Sequence, residues 1–292
     1  MKRQCPESEC LSRRIARRGR YFRRSDGQWI QRYCCLSCGV AFSSGTQLPC
    51  YRQKKRKLNH RLMVLLVSGV SQRRAAEILG VNRKTVVRKF RFLAQQSRLK
   101  QSQWLGSLGS HSITKVQFDD LETSEHTKCK PLSVAIAVEP KCRKILGFQV
   151  SVMPAKGLLA DQARKKYGPR PDQRPQGWEA LLSALTPVVA PSAEWRSDEN
   201  PHYPTHLKRC HPDAIHQTTP GRRGCVVGQG ELKKIGFDPL FSLNHTCAML
   251  RANLNRLFRR TWCTTKTRQG LIDHLSIYVH YHNQILTPLS TL

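Results

Sequence analysis

The chain has 292 residues and a formal net charge of +31, from 50 Lys+Arg against 19 Asp+Glu. An excess of this size is out of place in an enzyme of small molecules, and its self-repulsion points to a polyanionic partner, of which nucleic acid is the usual one. The length suggests two or three domains and argues against a small ribosomal-type RNA binder.

The charge is uneven. Residues 1–100 hold 25 of the Lys+Arg and only 4 of the Asp+Glu, so the first third supplies most of the attraction. No apolar run approaches the ~18 residues needed to cross a bilayer. Met1-Lys2-Arg3 is followed by a polar, cysteine-bearing stretch with no apolar leader segment. The chain is therefore expected in the cytoplasm with no membrane partner. There its 12 cysteines are expected to be thiols or metal ligands, not disulfides.

Residues 1–50 are rich in Cys, Arg and Gly and too short to bury a sufficient core unaided. Cys5 and Cys10 form one pair, Cys35 and Cys38 the other. Cys35-Leu36-Ser37-Cys38-Gly39 makes a good knuckle: two thiolates grip one ion and the glycine permits the tight turn. Short strands are expected over Gly19–Phe22 and Trp29–Tyr33. The whole reads as a zinc ribbon whose Zn2+ substitutes for a core. The first pair has the less usual Cys-x4-Cys spacing, and Cys34 is a competitor for Cys35.

After the basic run Arg52–Lys57, residues 58–98 read as three helices. His60–Ser68 is the first. Ser71 caps Gln72–Leu79, and Asn82 caps a third helix from Arg83 to about Leu93. Ala75, Ile78, Leu79, Val81, Val86 and Phe90 fit an inward face. The short turn Gly80-Val81-Asn82 makes a helix-turn-helix. Its last helix presents Arg83, Lys84, Thr85, Arg88 and Lys89, a composition suited to the major groove of double-stranded DNA. A helical bundle with a solvated basic face is the plain alternative. The Ser/Gly-rich stretch Gln101–His111 reads as a linker.

From residue 112 onward strands precede helices. Ile113–Phe118 alternates and runs into Asp119-Asp120-Leu121-Glu122. Leu132–Val138 and Ile145–Val150 are apolar runs of strand length, with Val134, Ile136 and Val138 on one face of the first and Ser133, Ala135 and Ala137 on the other. A later strand near Glu194–Ser197 ends at Asp198-Glu199-Asn200. Acidic residues thus close two separate strands. If the two ends meet, Asp119 and Asp198 could hold a divalent cation that neither would hold alone. Both are equally readable as turn residues. Asp120 and Glu122 compete with Asp119, because a shift of one residue changes the face.

Three stretches carry a family resemblance: Phe118–Thr123; Ser197-Asp198-Glu199-Asn200-Pro201-His202-Tyr203; and Asn244-His245-Thr246 leading into Arg251–Thr261, with Tyr281-His282-Asn283 at the close. In this order, behind a zinc ribbon and a helix-turn-helix, they resemble transposases of the smallest bacterial insertion sequences. The resemblance implies a multi-domain chain: zinc ribbon (1–50), helix-turn-helix (58–98) and an α/β RNase H-like catalytic domain (112–292). It further implies an Asp-Asp-Glu or Asp-Asp-Asn triad at Asp119, Asp198 and a third residue, two catalytic Mg2+ ions, and a homo-oligomer acting on element ends and target DNA in the bacterial nucleoid. Counting back from Arg259-Arg260-Thr261 puts the third residue at Asn244. There the alternatives are a helix N-cap, or Glu231 as the ligand instead. A regulator without catalysis and a degenerate transposase remain rival readings.

Other features are discounted. Gly221–Gly230 lacks the Gly-Lys-Ser/Thr ending of a phosphate loop and reads as a basic loop touching phosphates. His202, His206, His211 and His216 are too irregularly spaced for a metal site. Cys210, Cys225, Cys247 and Cys263 are scattered and read as buried thiols.

Overall fold

Cysteine placement and strand pairing build the first of two compact units, Met1–Met63; the second is Val64–Leu292. The computed structural model describes residues 3–24, 26–220, 238–258 and 263–287. The expectations for residues 221–230, Glu231 and 259–261 lie outside these.

In the first unit, β1 (Ile15–Arg23), β2 (Gln28–Cys35) and β3 (Ala41–Ser43) form an antiparallel sheet in that order. The two expected strands are present and longer, and a third follows the knuckle. Gly19, at φ +62°, sits where the β1–β2 register shifts between Arg17 and Arg20. A bulge there needs the left-handed backbone that glycine tolerates. The apolar interior is small: Ile30, Tyr33 and Phe42 are buried, with Tyr33 and Phe42 rings 5.5 Å apart.

A first helix, α1, spans Leu58–Leu66. Helix α2 (Gln72–Ile78) is capped by Ser71, whose hydroxyl accepts from the Arg74 N–H at 3.3 Å. Helix α3 is capped by Asn82, which accepts from the Lys84 N–H at 2.8 Å. Both caps match the sequence reading. The length of α3 does not: it runs unbroken over Arg83–Ser107, 25 residues. The stretch read as a linker is mostly its last two turns. Ile78, expected inside, is exposed; Ala75 and Ala76 are the buried residues of α2.

The body of the second unit is a mixed sheet. It contains β4 (Ile113–Ser124), β5 (Pro131–Val138), β6 (Ile145–Val152), β7 (Val189–Asp198) and β8 (Ile215–Thr219), ordered β6-β5-β4-β7-β8. The first three are antiparallel; β7 and β8 run parallel to β4. Two helices, α4 (Ala160–Tyr167) and α5 (Arg174–Leu185), lie between β6 and β7 in the chain. They carry it from the sheet edge back to the centre, the crossover that a parallel pair requires. Every residue of β5 from Leu132 to Val138 is buried, as an apolar run covered on both faces should be.

One face of the sheet packs on α5 through Phe118, Trp178, Leu181, Leu182 and Trp195, with Tyr203 and Leu207 from α6 (Tyr203–Cys210). The opposite face receives α7 (Phe241–Asn253), pinned where Gln117 on β4 accepts from the Leu243 N–H at 3.0 Å and donates to the Pro239 carbonyl at 2.8 Å. The last long helix, α8 (Arg268–Tyr281), packs along α3 and β6. Beyond it, Asn283 brackets Ile145 on β6, accepting from its N–H at 2.9 Å and donating to its carbonyl at 2.8 Å. Among the described residues no helix is long and apolar enough to cross a membrane.

Candidate metal centres and basic helix

The four expected cysteines meet. The sulfurs of Cys5, Cys10, Cys35 and Cys38 all lie within 4.8 Å of one another, with Cys5–Cys38 at 3.6 Å and Cys10–Cys35 at 3.7 Å. The strands bring this about: β1 starts after the first pair and β2 ends at Cys35, so closing the hairpin closes the site. Backbone N–H groups of Glu7, Ser12 and Cys38 point at the sulfurs of Cys5, Cys10 and Cys35. The Cys35 thiol is drawn down to about 6, chiefly by the Cys38 N–H. Cys5 is pushed up to about 12: the Glu7 N–H favours its thiolate, but burial and the neighbouring Cys38, Cys35 and Cys10 outweigh it. Thiols this close cannot all ionise without a cation among them, so the donors fit a metal such as zinc. Cys34 is not a ligand, because its sulfur turns to the carbonyls of Cys35 and Gly39.

The acidic residues lie deeper in the fold than expected. Asp119 and Asp120 do not end a strand: β4 continues to Ser124, paired with β5 throughout. Asp198 is the last residue of β7, as read. Strands β4 and β7 are parallel neighbours with Gln117 opposite Arg196. Strand periodicity carries that register two residues on to Asp119 and Asp198, on the face toward α7. The salt bridge of Lys115 to Glu194, 3.2 Å, lies on the same face lower down. The Asp119 carboxyl is raised to about 6, first by burial and then by the Asp198 charge, against the favourable N–H of Asp120 at 2.6 Å.

Asp120 points the other way. It accepts from the Ser133 hydroxyl and from Trp178 Nε1 at 3.0 Å. Burial raises its pKa, and these two donors oppose the rise. Between the two acids stands Tyr203, whose hydroxyl donates to Asp119 Oδ1 at 3.1 Å and lies 3.5 Å from Asp120 Oδ2. Burial and then the carboxylates of Asp120, Asp119 and Asp198 keep this phenol protonated. Tyr203, Trp178 and Ser133 carried no site role in the sequence reading. The signal present was the aromatic following Asp198-Glu199-Asn200.

Asn244 is not an N-cap. Helix α7 begins at Phe241 after Leu240 with no side-chain cap, and Asp238 just before it accepts from the Leu240 N–H at 2.9 Å and from Asn244 Nδ2 at 2.9 Å. Helical spacing puts Asn244, Cys247 and Arg251 on one flank of α7. That flank neighbours Asp119: the Cys247 thiol is pushed up to about 12 by burial and then by the Asp119 charge, with Arg251 opposing. Among the described residues the Asn244 side chain is hydrogen-bonded to Asp238 and not to Asp119 or Asp198. The four cysteines are the only group of three or more His, Cys, Asp or Glu side chains there that could share an ion. His211 and His216 instead bond the Leu182 carbonyl and the Ser197 hydroxyl.

On α3, Arg83, Lys84 and Arg88 are exposed and Thr85 is half-buried. Lys89 is a correction: it is 4 % exposed. Val86, Lys89, Phe90, Leu93, Ala94 and Ser97 are the buried residues of the helix, and their spacing of three and four makes one inward stripe that includes Lys89. No family model matches the chain, and no curated protein matches it.

Proposed function

We propose that the chain is a transposase of a small bacterial insertion sequence, binding the ends of its element on double-stranded DNA and cutting and joining strands by metal-dependent phosphoryl transfer. The carrying observation is that Asp119 and Asp198 lie on adjacent parallel strands, with the Asp198 charge raising the Asp119 carboxyl, in a protein of net charge +31. In so basic a chain, a partly buried Asp119 whose carboxyl is raised by burial and by the nearby Asp198 charge fits a divalent cation. The mixed sheet, antiparallel over β6-β5-β4 and parallel over β4-β7-β8, supports an RNase H-like reading of the second unit. In the first, the four thiols are read as a structural Zn2+ site.

Asp119 and Asp198 would hold Mg2+, with the carbonyl oxygen of Asn244 as the third, uncharged donor from α7. When bound, two Mg2+ ions supply a lowered pKa for the attacking water or 3′-hydroxyl and stabilisation of the leaving oxygen. The residues supply position. Tyr203 fixes one Asp119 oxygen by donating to it. Ser133 and Trp178 engage both oxygens of Asp120 and keep it out of the ligand set. Arg83, Lys84, Thr85 and Arg88 are read as the DNA-contacting face of α3, and the working form as a homo-oligomer on DNA in the nucleoid.

The test is cleavage of a DNA fragment carrying the gene and its flanks, with purified protein and Mg2+. Asp119→Asn and Asp198→Asn should each abolish cutting and retain binding. Cutting at the normal rate by both variants would reject the reading. One observation favours the rival of a degenerate transposase or a regulator: the Asn244 side chain is bonded to Asp238. Binding to the flanks without cleavage by the unaltered protein would decide for that rival.

A further inference from the structure

The first unit carries a surface that neither the thiol cluster nor α3 uses. At the tip of the β1–β2 hairpin, Phe22 and Trp29 stand directly opposite one another with ring centroids 5.6 Å apart. They are 50 % and 65 % exposed. Arg20, opposite Gln31, lies on the same face two residues along, and Arg24 follows Phe22 beyond the strand end; both are exposed. The other face is occupied differently, by buried Ile30 and by Arg32 stacked over Tyr21 at 5.1 Å.

Two large rings left in water cost free energy, and the segment around them is strongly basic. Between Arg13 and Arg32 the sequence holds eight arginines and one acid, Asp26. That acid is consumed internally by Arg23. A ring pair beside uncompensated arginines complements a ligand with flat π-surfaces on a polyanionic backbone. A duplex hides its base faces in the stack and offers groove edges, which polar donors and acceptors read better than Phe or Trp. A lipid surface would call for aliphatic residues around the rings, where this face has Arg20 and Gln31.

We infer that this hairpin face binds single-stranded DNA, with unpaired bases stacked on Phe22 and Trp29 and phosphates held by Arg20 and Arg24. The inference goes beyond the proposed function and does not depend on the carboxylate pair or on α3.

The experiment uses the full chain and three probes: a dT 20-mer, an abasic strand of equal length, and a 20-base-pair duplex. Phe22→Ala and Trp29→Ala should each weaken dT binding about tenfold or more, and abasic and duplex binding less than about threefold. Trp29→Leu, which keeps apolar cover but no π-face, should lose as much as Trp29→Ala; Trp29→Tyr should bind within about threefold of the unaltered chain. Tryptophan emission should fall on adding dT, and Trp29→Tyr should shrink the fall, since among the other described tryptophans Trp178 and Trp195 are buried and Trp104 is half-buried. Unchanged dT affinity in the alanine variants, full retention by Trp29→Leu, or equal losses on the abasic strand would overturn the inference. So would Trp29-dependent binding to anionic vesicles with no dT binding. A chain that binds dT as expected and cuts no DNA would uphold this surface and reject the proposed function.

Discussion

Asp119 and Asp120 are adjacent in the chain and opposite in surroundings, because strand alternation sends one toward α7 and the other toward α5. The difference predicts opposite results for removing the charge at the two positions. Asp119 titrates near 6 in the folded chain against an ordinary 3.8, so the folded state holds its proton more tightly. Stability therefore falls as pH rises from 3.8 through about 6, and a loss on the order of 3 kcal/mol is complete above that window. Asp119→Asn removes the loss: in metal-free protein it should raise Tm at pH 8 and leave it nearly unchanged near pH 4, and added Mg2+ should raise Tm for the unaltered chain only. A variant with no gain at pH 8 would refute the account. Asp120→Ala strands the Ser133 and Trp178 donors and should cost about 1–3 kcal/mol in urea unfolding. On α3, Arg83→Ala and Arg88→Ala should weaken binding to element-end DNA by about 1–3 kcal/mol if they read bases. If they meet only phosphate, the loss is uniform across sequences and the salt slope falls. Lys89→Ala, from the inward stripe, should lower Tm and leave DNA discrimination unchanged.

Helix α3 shows where element boundaries escaped the sequence. Its start was legible because Asn82 is a local signal that caps by a local bond. Its end was not, because Ser102, Gly106 and Ser107 have weak helical preference. What keeps them helical is distant in sequence: Arg98 bonds Asp273 on α8 at 2.7 Å, and Gln101 donates to the Ile145 carbonyl at 3.1 Å and accepts from Asn283 at 3.1 Å. Gly106 offers a direct check. A Cβ there meets nothing within 4 Å, and its φ is not positive. Gly106→Ala should then raise stability by about 0.5–1 kcal/mol. A null result in chemical unfolding would mean that this turn is not helical in solution. β4 is the counterpart among strands. Acidic residues suggested an end at Phe118, but pairing with apolar β5 from Gln117 to Ser124 holds them in the sheet.

At the scale of the molecule, the two units are stabilised by different means. The first relies on four thiols around a small interior, the second on a sheet covered on both faces. Metal removal should separate them. In calorimetry a zinc chelator is expected to abolish the transition of the first unit and leave that of the second in place, and elemental analysis of the untreated protein should find about one zinc per chain. A single transition unaffected by chelator, in protein lacking zinc, would reject the structural metal. The sequence by itself determined what depends on neighbours along the chain: the paired cysteines, the caps at Ser71 and Asn82, the burial of β5, and the uneven charge. Tertiary structure alone decided what depends on residues far apart meeting. Asp119 and Asp198 become a pair only when the crossover through α4 and α5 lays β7 beside β4. Tyr203 joins them because α6 folds back after β7, and Lys89 leaves the basic face because the stripe through Val86 and Phe90 is the one that packs. Cysteine spacing and capping are short-range chemistry that one segment expresses alone, whereas strand order and facing depend on how the whole chain buries its apolar surface.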